Sequence, residues 1–275
     1  DEANWPKANP NLGVSVKVEY LRDQAKPATQ SPIALNQFTR FHANRLVTAT
    51  ERAFDLDEWK ACEGELSDWD EADAVAGGID VGGRDDLCAW GLIARFPIDI
   101  EAEEPVYRYE CRSGAYIAAT TTRDLTKQPF QSFIYQDLLE VCKYPVTRLR
   151  EDMVEHCRQY YAAGVAYDPY NGQQIAEDME KEGITIASMS QNYSNFHEPI
   201  TDLMQAIRQG RFRHDGNPLL TWCAGNAVIV KDRKESWMYD KRDSSDKIDP
   251  IVAVTMAYRV AMLCPHRAQG DLFIT

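Results

Sequence analysis

The sequence lacks several features that would assign it to common classes of protein. Its seven cysteines are scattered and include no C-x-x-C pair, which argues against a structural zinc site and favours reduced thiols. The longest apolar run, residues 251–264, contains Arg259 and is too short to span a bilayer. The first residues show no basic stretch followed by an apolar one, so no signal peptide is expected. We therefore expect a soluble, cytoplasmic protein.

Positive charge is also scarce, because 30 Lys and Arg residues face 43 Asp and Glu residues, for a net charge of -13. This balance argues against a protein that coats nucleic acid by simple electrostatics. It is compatible with an enzyme that gathers carboxylates around metal ions. The 275 residues can bury a sizeable core, and an acidic loop near residues 63–73 predicts a helical segment over 1–70 and a main domain over 71–275.

Hydrophobic periodicity predicts an α/β domain with one mixed β-sheet flanked by helices and an N-terminal helical extension. The predicted strands are 75–81, 87–95 and 106–111, which form an antiparallel meander, followed by 164–168 and 184–187. The predicted helices are 14–25, 33–48, 54–62, 133–142, 148–161, 173–182, 198–209 and 249–262.

Asp80 is the anomaly of the main domain, because it lies in an apolar strand, where an uncompensated carboxylate costs several kcal/mol. It needs a hydrogen-bond partner, an opposite charge or a metal ion. Gly77, Gly78, Gly82 and Gly83 surround it and are expected to leave room for a phosphate or a nucleic-acid backbone. The simpler interpretation is a hairpin whose aspartate caps a turn.

Two further aspartates occupy comparable positions: Asp168 ends an apolar strand, and Asp249 precedes Pro250 at a helix start. Alone, Asp168 is explained by a strand-end turn and Asp249 by a helix N-cap. Together with Asp80 they can converge at one edge of a mixed sheet. Carboxylates that converge repel one another unless cations neutralise them, so the trio favours two Mg²⁺ or Mn²⁺ ions and phosphodiester chemistry.

Basic residues cluster in the last third of the sequence. The groups are Arg208, Arg211, Arg213 and His214, then Lys231, Arg233 and Lys234, then Lys241, Arg242 and Lys247. Each group alone is explained by a solvated face. Three groups in so acidic a chain favour a track for phosphates.

The order of motifs resembles the nuclease part of the large terminase subunits of tailed phages. The motifs are Gly78-Ile79-Asp80-Val81, Asp86-Leu87-Cys88-Ala89, Tyr167-Asp168-Pro169-Tyr170-Asn171, Arg213-His214-Asp215-Gly216-Asn217-Pro218-Leu219 with Trp222 and Gly225-Asn226, and Lys247-Ile248-Asp249 with Val252-Ala253. Residues 1–70 resemble the segment that joins the packaging ATPase to the nuclease, and no G-x-x-x-x-G-K-[ST] loop is present. An excised C-terminal piece is therefore expected.

The resemblance implies a ribonuclease-H-like fold and a metal-dependent endonuclease that cleaves concatemeric viral DNA during packaging in the host cytoplasm. Asp80, Asp168 and Asp249 match the family's catalytic, metal-binding triad, with Asp246 as an additional or alternative ligand and Asp86 as a residue beside the ligands or in the hairpin. The expected DNA contacts are Arg211, Arg213, His214, Lys231 and Lys247. Implied partners are double-stranded DNA, the small terminase subunit and the portal protein.

Two other interpretations stay open at the level of sequence. The segment Gly78-Ile79-Asp80-Val81-Gly82-Gly83 also resembles the first phosphate loop of sugar kinases and actin-like ATPases, although Asp85 and Asp86 are unsuited to anionic phosphates. A non-catalytic docking module of a packaging motor would keep the apolar pattern, but it would not need all three aspartates.

Overall fold

The computed structural model describes residues 2, 5–28, 38, 42, 51–103, 105–241, 244 and 246–265. By compactness the chain divides into two units, Asp1–Glu51 and Arg52–Thr275. The described part of the first unit contains the helices α1 (Trp5–Ala8) and α2 (Val18–Ala28). Helix α2 overlaps the helix predicted for residues 14–25, whereas the helix predicted for 33–48 falls almost entirely outside the described residues.

Strand β1 (Glu51–Arg52) leads into the second unit. The other strands are β2 (Ala74–Asp80), β3 (Cys88–Asp99), β4 (Val106–Ala118), β5 (Leu139–Cys142), β6 (Val165–Tyr167), β7 (Ile186–Ser188), β8 (Phe212–His214), β9 (Val228–Lys231) and β10 (Trp237–Tyr239). The helices are α3 (Leu56–Ala61), α4 (Phe130–Tyr135), α5 (Pro145–Gln159), α6 (Pro169–Lys181), α7 (Tyr193–Arg208), α8 (Pro218–Asn226) and α9 (Asp249–Leu263). In the described part of the chain, no helix combines the length and apolar character needed to cross a bilayer.

The central sheet is mixed, with strand order β5-β4-β3-β2-β6-β7 and with β8 paired to β4. Strands β2, β3 and β4 form the antiparallel meander that the sequence predicts. Strands β6 and β7 continue the sheet in parallel beside β2, while β5 and β8 run parallel to β4. The predicted fold class, a mixed sheet flanked by helices, is confirmed. A smaller sheet contains the antiparallel pair β9 and β10, together with β1.

Helices cover both faces of the sheet, and the alternation of residues along β2 shows which face each side chain contacts. Ala76 belongs to the apolar cluster formed with α7 and α9. Val75 and Ile79 belong to the opposite cluster, which is formed with α5 and α6. Asp80 therefore has the same parity as Ala76 and faces the α9 side of the sheet.

Two glycines allow α9 to lie against the sheet. Gly78 of β2 pairs with Gly91 of β3, so the two residues lie side by side. A Cβ atom added at Gly78 would lie 2.2 Å from the carbonyl oxygen of Ala253, and one at Gly91 would lie 2.6 Å from Cα of Val254. Only glycine permits so close an approach between helix and strand backbones.

This packing corrects the expected role of the glycines around Asp80. Gly78 accommodates a helix, and a Cβ atom added at Gly77 would lie 3.0 Å from Sδ of Met153. A Cβ atom at Gly82 would lie 2.2 Å from the carbonyl oxygen of Leu87, and only at Gly83 would the space be open to 4 Å. The expectation that all four leave room for a phosphate was therefore wrong for Gly77 and Gly78, which pack against helices.

The structure also differs from the sequence prediction at the segment ends. The predicted boundary between residues 70 and 71 lies inside the second compact unit, since Trp59 of α3 is completely buried in its core. Residues 133–142 do not form one helix, because α4 ends at Tyr135, Asp137 has φ 55°, and the chain continues as β5. The short elements β8, α8, β9 and β10 were not predicted as such.

The Gly78→Ala substitution tests the contact between α9 and the sheet. We expect a loss of about 2 to 3 kcal/mol in the free energy of unfolding, because the added methyl group overlaps the main chain of α9. Urea denaturation measures this loss. Gly83→Ala is the matched control, since nothing lies within 4 Å of its Cβ position. Equal stability of the two variants would contradict the packing argument.

Candidate metal centre

Asp80 and Asp168 end neighbouring parallel strands on the same face of the sheet. Ile79 of β2 is in register with Tyr167 of β6, and both side chains belong to the apolar cluster on the α5 and α6 side. The next residue of each strand is an aspartate, and alternation directs both aspartates to the α9 side. The convergence of these two residues at one sheet edge is thus a consequence of strand register.

Asp249 reaches the same place from the first turn of α9. Ala253 lies over Gly78, and Asp249 is one helical turn earlier, about 6 Å along the helix axis. Two residues of strand, from Gly78 to Asp80, span about 6.6 Å. The close helix packing therefore brings Asp249 level with Asp80. Asp249 is the first residue of the helix rather than its N-cap, a position held by Ile248.

The carboxylates of Asp80 and Asp249 share one cationic partner. The Nζ atom of Lys241 lies 2.7 Å from Oδ2 of Asp80 and 3.4 Å from Oδ1 of Asp249. Nε2 of Gln191 donates a hydrogen bond of 2.9 Å to Oδ1 of Asp80. The remaining Oδ2 of Asp249 is buried and has no hydrogen-bond partner in the described structure.

This arrangement holds more negative than positive charge in a poorly solvated place, since Asp80 is 4% and Asp249 5% exposed. Burial, and then the charge of Asp80, raises the pKa of Asp249 to about 6. Burial disfavours the charged form of Lys241, but the two carboxylates raise its pKa above the ordinary value. The pair of aspartates therefore keeps an excess of negative charge that Lys241 alone does not neutralise.

Asp80, Asp249, Lys241 and Gln191 line an acidic cleft of about 740 Å³, and Asp168 lines the same cleft. One carboxylate oxygen of Asp168 accepts the main-chain N–H of Tyr170 at 3.1 Å and so caps α6. Nδ2 of Asn171 donates to the carbonyl oxygen of Val81 at 3.1 Å, which ties the start of α6 to the chain just after Asp80. The cap and this tie fix the position of Asp168 relative to Asp80.

Asp246 and Asp86 also line the cleft, but basic side chains engage both. Oδ1 of Asp246 accepts the N–H of Lys247 at 3.0 Å and lies 3.6 Å from Nη1 of Arg123. Asp86 forms an ion pair with Nζ of Lys247, whose pKa is lowered by burial. The structure thus brings Lys247 to the cleft, paired with Asp86.

Arg211 and Arg213, two of the predicted DNA contacts, lie away from the cleft. Arg213 of β8 is in register with Glu110, which pairs with Ala94 and through it with Val75 of β2. Val75 precedes Asp80 by five residues, about 16 Å along the strand. Arg211 donates to the carbonyl oxygen of Tyr107 at 2.9 Å, at the same far end of the sheet.

His214 and Lys231 are not cleft residues either. The assignment of His214 to DNA contact was wrong, because the ring is 0% exposed and stacks on Trp59 at 4.7 Å. Its Nε2 lies 2.9 Å from the carbonyl oxygen of Trp59, its Nδ1 accepts the N–H of Gly216, and burial lowers its pKa. Lys231 is exposed and pairs with Glu235 at 3.3 Å in the β9–β10 hairpin.

Three cleft residues had no predicted individual role. Gln191 follows β7, the parallel neighbour of β6, so the strand-end rule that found Asp168 would also have found Gln191. Lys241 was noted only as part of a basic group. Arg123 comes from a polar loop without any periodic pattern, and nothing in the sequence singles it out.

The side chains of the cleft are of the right chemical type to bind a divalent metal ion, but in this structure they are not arranged around one point. Their donors are carboxylate oxygens, the ligands that Mg²⁺ and Mn²⁺ prefer, and one of these oxygens is buried without a partner. Among the described residues, however, no three His, Cys, Asp or Glu side chains are gathered as a ready-made metal site. Lys241 takes the place of a cation between Asp80 and Asp249.

The strand order of the sheet, with helices on both faces, agrees with the ribonuclease-H-like fold that the sequence resemblance implies. The family model for the terminase large subunit, endonuclease domain, matches residues 1–100 and 151–263. The chain belongs to this family, and the resemblance seen in the sequence is confirmed.

Individual relatives agree with the family. The chain is 28% identical over 270 residues to Protein YmfN of Escherichia coli (strain K12), covering 94% of this chain and 59% of that protein. It is 25% identical over 266 residues to the terminase large subunit of Enterobacteria phage HK97, covering 94% and 51%. The crystal structure of the HK97 large terminase has the same fold, with a TM-score of 0.67 at 24% identity over 94% of this chain and 54% of that one. The chain thus spans about half the length of these relatives.

The Asp249→Asn substitution tests the electrostatic conflict in the centre. It removes a buried charge that both desolvation and Asp80 disfavour, while Lys241 keeps its contact with Asp80. We expect the protein in chelator near neutral pH to gain about 1 to 3 kcal/mol in free energy of unfolding. Asp70→Asn, at an exposed aspartate, serves as the control and should change little. A less stable Asp249→Asn variant would show that the charge is already well compensated.

Proposed function

We propose that this chain is a divalent-metal-dependent endodeoxyribonuclease that cuts concatemeric double-stranded viral DNA during genome packaging. One observation carries the proposal: two buried carboxylates, Asp80 and Asp249, face a single ammonium group, and one carboxylate oxygen is left without a partner. Such a centre is unfavourable unless a cation binds it. Its place at the end of the sheet, beside Asp168, agrees with the endonuclease-domain family.

In this proposal Asp80 and Asp168 would hold one ion and Asp80 and Asp249 a second, with Mg²⁺ or Mn²⁺ as the metal. Two divalent ions at such a site supply charge stabilisation to the attacking and leaving oxygens of a phosphodiester. Asp80 is the shared ligand, and Gln191 orients it by donating to Oδ1. Asp246 is a further candidate ligand at the rim, although its Oδ1 accepts the N–H of Lys247.

Lys241 has two states in this mechanism. Without metal it neutralises part of the charge of Asp80 and Asp249. If the two aspartates held a metal ion, its ammonium group would be free to lie in the cleft, where its side chain is already 42% exposed. There a positive charge favours the approach of a phosphate group, because opposite charges attract strongly where water is partly excluded.

The biological setting is proposed from the relatives. The terminase large subunit of phage HK97 shares the fold over the whole of the matched region. We propose that this chain likewise acts within a packaging motor, with double-stranded DNA as substrate and the small terminase subunit and the portal protein as partners. Arg211, Arg213 and Lys231 lie outside the cleft, so any contact that they make with DNA is with backbone distant from the cut.

The substitutions Asp80→Asn, Asp168→Asn and Asp249→Asn test the triad. We expect each to reduce nicking of supercoiled plasmid in low salt with Mn²⁺ or Mg²⁺ by at least about 100-fold, since an asparagine cannot replace a charged metal ligand. Asp70→Asn should keep full activity. Agarose gels of time courses measure the rate, and chelator should abolish it.

Two outcomes would contradict the nuclease assignment. Cleavage that persists in Asp80→Asn would place the reaction at another site or in a contaminant. Absence of cleavage by the unaltered chain, even after the rest of a large terminase subunit is supplied, would favour the docking module.

Metal binding can be tested without DNA. We expect Mn²⁺ or Mg²⁺ at ten to a hundred times the dissociation constant to stabilise the unaltered chain by about 1.4 to 2.7 kcal/mol, seen as a higher melting temperature. The shift should largely disappear in Asp249→Asn, which lacks a ligand charge. An equal shift in both proteins would locate the bound metal elsewhere.

A further inference from the structure

Residues 101–150 fall outside the range that the family model matches, yet part of this segment reaches the cleft. The carboxylate of Asp85, in the turn after β2, accepts two hydrogen bonds. One comes from the hydroxyl group of Thr121 at 3.0 Å and the other from the main-chain N–H of Thr122 at 2.6 Å. In the opposite direction, Nε of Arg123 donates to the carbonyl oxygen of Asp85 at 2.7 Å. We name this reciprocal contact between Asp85 and residues 121–123 the Asp85 clasp.

The clasp holds the guanidinium group of Arg123 in a fixed place. Hydrogen bonds, first of all that from the N–H of Thr122, hold the pKa of Asp85 well below its usual range, so the carboxylate stays an ionised acceptor. On the other side, the guanidinium lies 5.6 Å from the ring centre of Phe130, which is buried in an apolar cluster with Leu87 and Leu139. The side chain is therefore positioned before any ligand arrives.

Three basic side chains line the described cleft, and they differ in how closely acidic groups pair with them. Lys241 is bound to Asp80 and Asp249, and Lys247 is paired with Asp86. Arg123 uses Nε for the clasp, but its Nη1 is 3.6 Å from Asp246, which is long for a hydrogen bond. In the described structure no hydrogen bond is made by Nη2.

A purely structural arginine elsewhere in the fold shows the contrast. Arg95 is 1% exposed, and its Nη1 and Nη2 atoms donate to Asp73 and to the carbonyl oxygens of Ala261, Cys264 and Pro265. Arg123, by comparison, lines the cleft with 31% of its side chain exposed, and its terminal nitrogens make no hydrogen bond in the described structure, with Asp246 3.6 Å from Nη1. A preorganised arginine with free donors suits the oxygens of a phosphodiester, which it can bind through two N–H groups.

The geometry points to Arg123 as a phosphate-binding residue that holds the DNA backbone beside the acidic centre, with Asp85 as the residue that positions it. This inference rests on the proposed function, because it takes DNA as the ligand. Asp246 is the internal anion that Arg123 faces when no phosphate is bound. The loop that carries Arg123 thereby supplies a backbone contact that Arg211 and Arg213, at the far end of the sheet, do not provide.

The test is DNA binding without cleavage, measured by fluorescence anisotropy with a short labelled duplex in Ca²⁺ and in chelator. All proteins carry Asp80→Asn, so that no strand is cut. We expect Arg123→Gln to raise Kd about five- to twentyfold and to reduce the salt slope of log Kd by about one. Arg123→Lys should keep the salt slope, because it keeps the charge. It should lose some affinity, but less than Arg123→Gln, because lysine cannot form the bidentate hydrogen bond of a guanidinium group.

Controls separate a phosphate contact from a structural role. Arg158→Gln removes one exposed positive charge from α5, on the other face of the sheet, and should leave Kd within about twofold. Asp85→Asn should weaken binding without changing the salt slope, since it loosens Arg123 but removes no cation. The melting temperature of each variant, compared with that of Arg158→Gln, shows whether the fold is intact. If Arg123→Gln is destabilised, the binding comparison is made with Arg123→Lys instead.

Two results would overturn the inference: an unchanged Kd and salt slope in Arg123→Gln, or equal losses in Arg123→Gln and Arg158→Gln. Its failure is distinguishable from failure of the proposed function. Normal DNA binding by Arg123→Gln, together with loss of plasmid cleavage in Asp80→Asn, rejects only the role of Arg123. Weaker binding by Arg123→Gln, together with an unaltered chain that never cleaves DNA, supports the role of Arg123 and rejects the nuclease.

Discussion

The contact between α9 and the glycines of β2 and β3 is the constraint on which the acidic centre depends. Side chains normally separate a helix from the sheet on which it packs, whereas Gly78 and Gly91 allow main chain to approach main chain. Because Asp249 is the first residue of that helix, the helix approach decides how near it comes to Asp80. The geometry of the centre is thus determined by two residues that carry no functional group.

The same closeness makes the centre electrostatically unfavourable until a cation binds. Asp80 and Asp249 are nearly inaccessible to water, and a single ammonium group serves both. The apolar clusters on both faces of the sheet provide the stability that allows such a centre to persist. Lys241 limits the repulsion from the rim of the cleft, where its side chain is partly exposed.

Sequence reasoning found the features that depend on strand ends and on local capping. Asp80 and Asp168 stand out because they follow apolar strand patterns, and Asp249 because it precedes Pro250 at a helix start. His214 was misassigned because its partner Trp59 is distant in sequence. No local signal distinguishes a histidine exposed for DNA contact from one buried in the core. Arg211 and Arg213 were misplaced for a similar reason, since the pairing of β8 with the far end of β4 cannot be inferred from periodicity. Arg123 depends on a side-chain clasp that leaves no pattern at all.

The part of the chain outside the family match is tied to the acidic centre in two different ways. Strand β4 joins β3 through main-chain hydrogen bonds, which place few demands on side-chain identity, so this part of the sheet can keep its geometry while its sequence differs. The link between residues 121–123 and the turn after Asp80, in contrast, depends on particular side chains. Because the clasp contacts the turn and not the carboxylates, a change in this loop alters what lies beside the cleft without moving Asp80 or Asp249. The turn after β2 is therefore the link through which residues 121–123 meet the acidic centre.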